Sequence, residues 1–379
     1  MSNLTLNKNS VRAGIATVGI IGGFVSGYGV LVPFYIEKYL LDIEIGGRLF
    51  ALTGFSGLVG VFITSYLIDK VKASIAGSLG TFLTGIGILI LAFSNSWNAI
   101  LIGVFLIGSG FGAGQVGVSQ LVVDIGGIEA ARRTNKNNIA FALSSILVPI
   151  IFGLLLVKSY TLLMIIFAIA TFVTSFVFYS NTTGKLVHKP EHEHKKANHN
   201  FSIALLLLGI STYVGLESAA TGWIPTYLLD KGWSTSESSL GLSVFFVVLL
   251  IVRLIILKFI HNINFGLLVV ISTLLLVPAL YLLFATNFYL LAIILLAMFC
   301  APVFPMAFAW VVKISPGNAR ITGFIFFSSI SGSMIFPYLI GNYMNSLGTN
   351  FAPLLMMVPA VLALFFFSVG YRSIAINKD

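Results

Sequence analysis

A chain of 379 residues that is 58% hydrophobic and only 9% charged, with a mean hydropathy of +1.03, carries more apolar surface than a soluble domain of that length can hide. Its net charge of +9 is accounted for by membrane topology and needs no nucleic-acid partner, and its lone Cys300 excludes an intramolecular disulfide. The apolar runs are continuous rather than alternating with period two, which excludes a barrel and predicts an all-α membrane protein, because in lipid only helices and closed barrels satisfy their own backbone polar groups.

Charged and polar punctuation divides the chain into twelve predicted transmembrane helices. In the first half they lie at about 12–36, 47–68, 74–93, 98–123, 138–157 and 160–179; in the second, at about 201–229, 239–258, 265–284, 288–312, 321–344 and 353–371. The first is preceded by Lys8 and Arg12 and shows no small-residue cleavage pattern, so it is expected to be a retained helix and not a signal peptide. With the N-terminus inside, 17 of the 21 basic residues fall on the cytoplasmic side, and only Lys38, Arg48, Lys158 and Lys231 fall outside. That asymmetry places both termini in the cytoplasm.

Polar residues inside the spans are the functional candidates, since each must find a partner in hydrocarbon. In the first span, Tyr28 sits between Gly27 and Gly29 and is a candidate to face a cavity. In the fourth, "IGSGFGAGQVGVSQLVVD" (107–124) offers glycines for close helix packing, while Gln115 and Gln120 either recognise solute hydroxyls or bond neighbouring helices. Asp124, Glu129, Arg132 and Arg133 crowd the following loop, as a solvated cluster or a gate salt bridge. Asn138, beside Asn137 at the start of the fifth span, either caps that helix or lines the inner mouth.

The polar stretch 181–200 separates an N-terminal six-helix bundle, 1–180, from a C-terminal one, 201–379. It holds His188, His192, His194 and His199 among Glu191 and Glu193, a set that could chelate a divalent ion, but a solvated linker explains the same residues and no metal site is assigned.

Glu217 is the sharpest signal. It lies about sixteen residues into the seventh span, where a charged group costs at least roughly 2.5 to 3.5 kcal/mol. It is expected to face the central cavity and exchange a proton as its access alternates, or to bond a solute hydroxyl or pair with a cationic solute; a structural hydrogen bond to a neighbouring helix is the bland alternative. Trp223 and Tyr227 follow it, with Trp223 the nearer to the cavity and suited to stack on a sugar's C–H face. Gly222 and Pro225 would let this helix bend as an outer gate. Arg253, some five residues inside the eighth span's cytoplasmic end, is expected to snorkel outward.

Two pattern matches relate the halves. "SILVPIIFG" (145–153) and "SMIFPYLIG" (333–341) share Ser-x-x-x-Pro-x-x-x-Gly in the fifth and eleventh spans, and "PFY" (33–35) and "PTY" (225–227) share Pro-x-Tyr near the ends of the first and seventh. Helix-breaking prolines in corresponding spans are the mark of a repeat-built transporter with its site at the repeat interface.

With these residues the chain resembles the major facilitator superfamily along nearly its whole length. The loop Ser65 to Lys72 is similar to that family's Gly-x-x-x-Asp-Arg-x-Gly-Arg signature, with Asp69 and Lys70 matching and the glycines replaced, which implies a cytoplasmic gating role for Asp69 and Lys70. "YVGLESAATGWIPTYL" (213–228), "APVFPMAFAW" (301–310) and "GSMIFPYLIGNYMNSLG" (332–348), the last with Pro337 as a gating candidate, resemble the seventh, tenth and eleventh spans of the fucose:proton symporter and sugar transporter branch. Asn138 resembles an asparagine at its position in the family. Where that branch often carries an acid followed five residues on by Asn, this chain has Gln115 and Gln120, so proton coupling would rest on Glu217 alone.

The resemblance implies two pseudo-symmetric six-helix bundles in a cell (cytoplasmic) membrane, acting as a monomer on a small-molecule solute, without cofactor or nucleic acid. The expected function is secondary active transport of a small polar solute, foremost a sugar, proton-coupled through Glu217. Export of amphiphilic or cationic drugs or metabolites is the alternative. No phosphate loop and no His-Glu-x-x-His pair occurs, so an enzyme is not expected.

Overall fold

The computed structural model describes residues 8–67, 70–123, 127–180, 200–259, 263–315 and 319–376. Twelve α-helices run through them: α1 (Lys8–Ser26), α2 (Tyr28–Tyr39), α3 (Ile43–Leu67), α4 (Ala73–Phe93), α5 (Trp97–Val123), α6 (Gly127–Ser180), α7 (Asn200–Asp230), α8 (Thr235–Phe259), α9 (Phe265–Ala285), α10 (Tyr289–Ile314), α11 (Ala319–Leu347) and α12 (Ala352–Ile376).

Twelve helices and twelve membrane crossings are not the same set. The predicted first span is broken at Gly27 into α1 and α2, bent by 46°. The predicted fifth and sixth spans merge into the 54 residues of α6. At about 1.5 Å per residue such a helix would be far longer than a bilayer is thick. Ser159, at φ −147 and ψ 39, interrupts it next to Lys158, where the sequence placed the boundary between the two spans. Counting the bent pair α1–α2 as one span and the two parts of α6 as two gives twelve spans. Apolar side chains such as Phe62, Leu154, Phe176, Leu254 and Phe365 remain exposed, as residues that meet lipid tails must.

The chain divides into two compact units, Met1–Leu40 with Leu52–Lys189, and Leu41–Ala51 with Pro190–Asp379. The sequence assigned Leu41–Ala51 to the first bundle; by contacts it groups with the second. Gly47 approaches the Tyr338 carbonyl and Gly341, and Phe50 packs edge-on against Trp223 at 5.5 Å.

Within the first unit, α4 and α5 meet through glycines. A Cβ at Gly110 would fall 2.4 Å from the Gly80 carbonyl oxygen, and one at Gly117 2.5 Å from the Gly77 Cα. Hydroxyl groups supply the polar links. Ser78 and Ser175 each donate to the other's backbone carbonyl at 2.9 Å, joining α4 to α6, and Ser26 Oγ meets Ser145 Oγ at 2.7 Å between α1 and α6. Tyr160 donates at 2.7 Å to the Leu91 carbonyl, one of the last-turn acceptors of α4 that has no helical donor.

In the second unit, α7 packs against α8, α10, α11 and α12. Its contact with α11 is backbone to backbone, since a Cβ at Gly332 would sit 1.8 Å from the Ser211 carbonyl oxygen. Tyr227 donates at 2.7 Å to the Leu283 carbonyl in the last turn of α9.

Candidate functional site

Glu217 lies about 25 Å from the start of α7 and about 20 Å from its end, counting 1.5 Å per residue. Its Oε1 accepts a hydrogen bond from Arg253 Nη2 of α8 at 3.3 Å, an ion pair inside the hydrocarbon-crossing length of both helices. Arg253 also donates from Nε to the Ala301 carbonyl of α10 at 3.2 Å. That acceptor is open for a local reason. Pro305 stands four residues on and has no N–H, so the helical bond to Ala301 is missing and the guanidinium supplies it. The double-proline stretch "APVFP" therefore contributes a carbonyl to the site.

Tyr213, one turn before Glu217, completes the cluster. Its hydroxyl donates at 2.6 Å to the Cys300 carbonyl, next to Ala301, and stands near enough to the Glu217 carboxyl group to act on it electrostatically. A phenol has one proton. With that proton on Cys300, the Tyr213 oxygen keeps a lone pair, while Arg253 offers Glu217 a donor. The site is partly open: 37% of the Arg253 side chain and 20% of the Glu217 side chain are accessible.

The pairing corrects the expectation that Arg253 snorkels outward. Side chains on a helix lean toward its N-terminus, here away from the nearby C-terminal end of α8, and the guanidinium is bonded to Glu217 and Ala301 on the neighbouring helices. No spacing rule in the sequence connects positions 36 residues apart on separate helices; the one available signal was a second charged residue well inside a span.

The other candidates are spread widely. Trp223 is fully enclosed; its indole N–H donates at 2.8 Å to the Pro337 carbonyl, and Gly341 leaves room for the ring. It thereby ties α7 to α11 and brings two residues flagged for separate roles, Trp223 and Pro337, into one contact. Pro225 is buried in α7 two residues later. In the first unit, Tyr28 opens α2 after the break, packs edge-on against Phe24 at 6.0 Å and turns its hydroxyl toward Thr53.

Gln115 is half-buried and, with Thr17, Val18, Ile21, Phe111 and Gly114, lines a small pocket between α1 and α5. Asn138 is exposed, whereas the side-chain oxygen of its neighbour Asn137 is buried with no partner among the described residues. Lys70 is exposed and lies over the Tyr66 ring at 4.5 Å, with Nζ donating to the Tyr66 hydroxyl at 3.2 Å. Asp69, Asp124 and the four linker histidines lie outside the described residues, as do the side chains of Gln120, Glu129, Arg132 and Arg133; the last three, expected in a loop, stand in the first turns of α6. Among the described residues no group of His, Cys, Asp and Glu is arranged to hold a metal ion.

The fold is similar to that of several solved transporters. A bacterial homolog of the human lysosomal transporter Spinster superposes with a TM-score of 0.77 at 13% identity, covering 98% of each chain. The nucleoside transporter NupG gives 0.78 at 14% identity over 96% of this chain and all of that one. The peptide transporter POT gives 0.77 at 13% identity, covering 96% and 94%. No curated protein matches the sequence. The sequence profile of the Major Facilitator Superfamily matches residues 14–268, two thirds of the length, and with the twelve-span fold this establishes that the chain belongs to the Major Facilitator Superfamily of membrane transporters.

Proposed function

We propose that this chain is a secondary active transporter that moves a small polar solute, foremost a sugar or sugar-like molecule, across a cell membrane by alternating access, with Glu217 carrying the coupled proton. The observation that carries this reading is the Glu217–Arg253 pair beside Tyr213. Glu217 has a partner in either charge state. Ionised, it accepts from Arg253; protonated, it can donate to the Tyr213 oxygen, whose own proton is held by Cys300. A half-buried acid with a hydrogen bond available in each state gains or loses a proton without leaving an unsatisfied group, which is what a coupling site requires.

The sugar assignment is supported by the resemblance of the seventh, tenth and eleventh helices to the fucose symporter branch. It is compatible with the likeness to NupG, whose cargo class carries a pentose. In this reading Gln115 and Gln120 present amides to solute hydroxyls, Tyr28 and Asn138 border the route, and Asp69 and Lys70 latch the inner face. Pro225 and Pro337 serve the outer gate. Trp223, enclosed against Pro337, acts as the strut that sets α7 on α11 rather than as a stacking surface. The positive-inside bias supports cytoplasmic termini, and the chain is taken to work as a monomer. Export of cationic compounds would use Glu217 as their counter-ion; Arg253 already neutralises that acid, which weighs against it.

Counterflow in proteoliposomes with labelled hexoses, sugar acids and nucleosides, and a lumenal pH dye, tests the proposal. Wild type is expected to exchange a hydroxylated solute and to accumulate it under an inward proton gradient, and Glu217→Gln to lose the accumulation. Exchange that ignores pH in both proteins defeats proton coupling. Silence toward every solute defeats transport.

A further inference from the structure

Arg253 offers more than a counter-ion for Glu217 needs. A guanidinium carries five N–H donors in a planar fork. Its Nε–H is held by the Ala301 carbonyl and one Nη2–H by Glu217; the other three have no partner among the described residues, although 37% of the side chain is accessible. Anchored through Nε, the group presents a fixed outer edge of the kind that receives a carboxylate through two parallel bonds.

Charge balance then selects the cargo. Glu217 and Arg253 together are neutral. A proton delivered to Glu217, which then donates to Tyr213, leaves Arg253 with one uncompensated positive charge within the membrane, and such a charge is strongly disfavoured there. A solute with a single negative charge cancels it, whereas an uncharged sugar does not. A phosphate monoester, at about −1.5 to −2, overshoots.

We infer that the solute is a hydroxylated monocarboxylate, a sugar acid, bound at the free edge of Arg253 and carried with the proton on Glu217 as an electroneutral pair. The titratable groups facing this pair are Tyr213 from α7 and Cys300 from α10; α11 and α12, which also pack on α7, present none to it among the described residues. The inference rests on the transporter reading above and narrows its substrate class.

The test uses the full chain, measuring binding of glucuronate, glucose and glucose 6-phosphate at pH 6 and pH 8, with counterflow of the same three. Glucuronate should bind about tenfold more tightly at pH 6 than at pH 8, and its proton-driven uptake should be insensitive to a clamped membrane potential; glucose and glucose 6-phosphate should bind weakly at both pH values. Arg253→Gln should weaken glucuronate binding roughly 100-fold and Arg253→Lys about tenfold, since lysine keeps the charge and loses the fork. Glu217→Gln, with Arg253 unpaired, should bind glucuronate at pH 8 as wild type does at pH 6, a readout that a purely structural role for Arg253 would not move.

Glucose or glucose 6-phosphate exchanged as well as glucuronate, or an Arg253→Gln protein that folds and keeps its preference for glucuronate, overturns the substrate class and leaves the transporter standing. No exchange of the three solutes overturns the inference, and silence across the wider hexose and nucleoside panel removes the transport reading with it.

Discussion

The two units hold their helices together with different chemistry. In the first, the described polar links inside the spans are hydroxyls and backbone carbonyls: Ser78 with Ser175, Ser26 with Ser145, Tyr160 with Leu91. In the second, hydroxyl links of the same kind surround a charged pair, Glu217 with Arg253. Hydroxyl–carbonyl contacts are neutral in every state and serve packing. An ion pair has a second state, one proton away, and among the described links inside the spans this pair stands in the second unit.

That contrast predicts an order of sensitivities. Arg253→Leu leaves Glu217 either unpaired or protonated and should lower stability by about 3 kcal/mol at pH 8 and by less at pH 6, seen as a fall in thermal unfolding temperature in detergent, while the double change Glu217→Leu with Arg253→Leu should recover most of the loss. Equal losses in the single and double variants would remove the pair from the comparison.

Gly332→Ala and Gly60→Ala test the backbone contacts of the two units on equal terms. An added methyl would fall 1.8 Å from the Ser211 oxygen in one and 2.0 Å from the Ser109 oxygen in the other, so each helix pair must separate, at about 2 to 3 kcal/mol. Trp223→Phe keeps a ring against Phe50 but abandons the Pro337 carbonyl, and about 1 to 2 kcal/mol should be lost. Ser78→Ala should cost about 1 kcal/mol, the smallest of the set, and leave transport unchanged. A Ser78→Ala protein with altered proton coupling would show that the first unit is more than packing.

Much of the architecture was legible in the sequence because lipid allows so few alternatives. Twelve apolar segments had to be helices, and the split of α6 was visible at Lys158, a charge that cannot sit mid-membrane. The break at Gly27 was not visible. Gly22, Gly23, Gly27 and Gly29 all occur in the same stretch, and phenyl rings pack over both Gly22 and Gly27, so close packing at a glycine does not by itself mark the break. The acid of the site was legible for the same reason as the spans, since a lone carboxylate in an apolar run is costly. Its partner was not, because Arg253 was judged by its distance from a helix end and not by the direction of its side chain or by the carbonyl that Pro305 strips of its donor. Trp223 showed the opposite difficulty: a tryptophan near a glycine and a proline looks the same in sequence whether it meets a ligand or a neighbouring backbone.

Pro305 gives α10 a weak point and Arg253 splints it. The same guanidinium holds the acid, so whatever draws it toward a new anion pulls at once on three helices: α7 through the carboxylate, α8 through its own stem and α10 through the proline joint. Local chemistry at one side chain is in this way geared to the stiffness of half a bundle, and α10 should hinge most freely while that splint is engaged elsewhere.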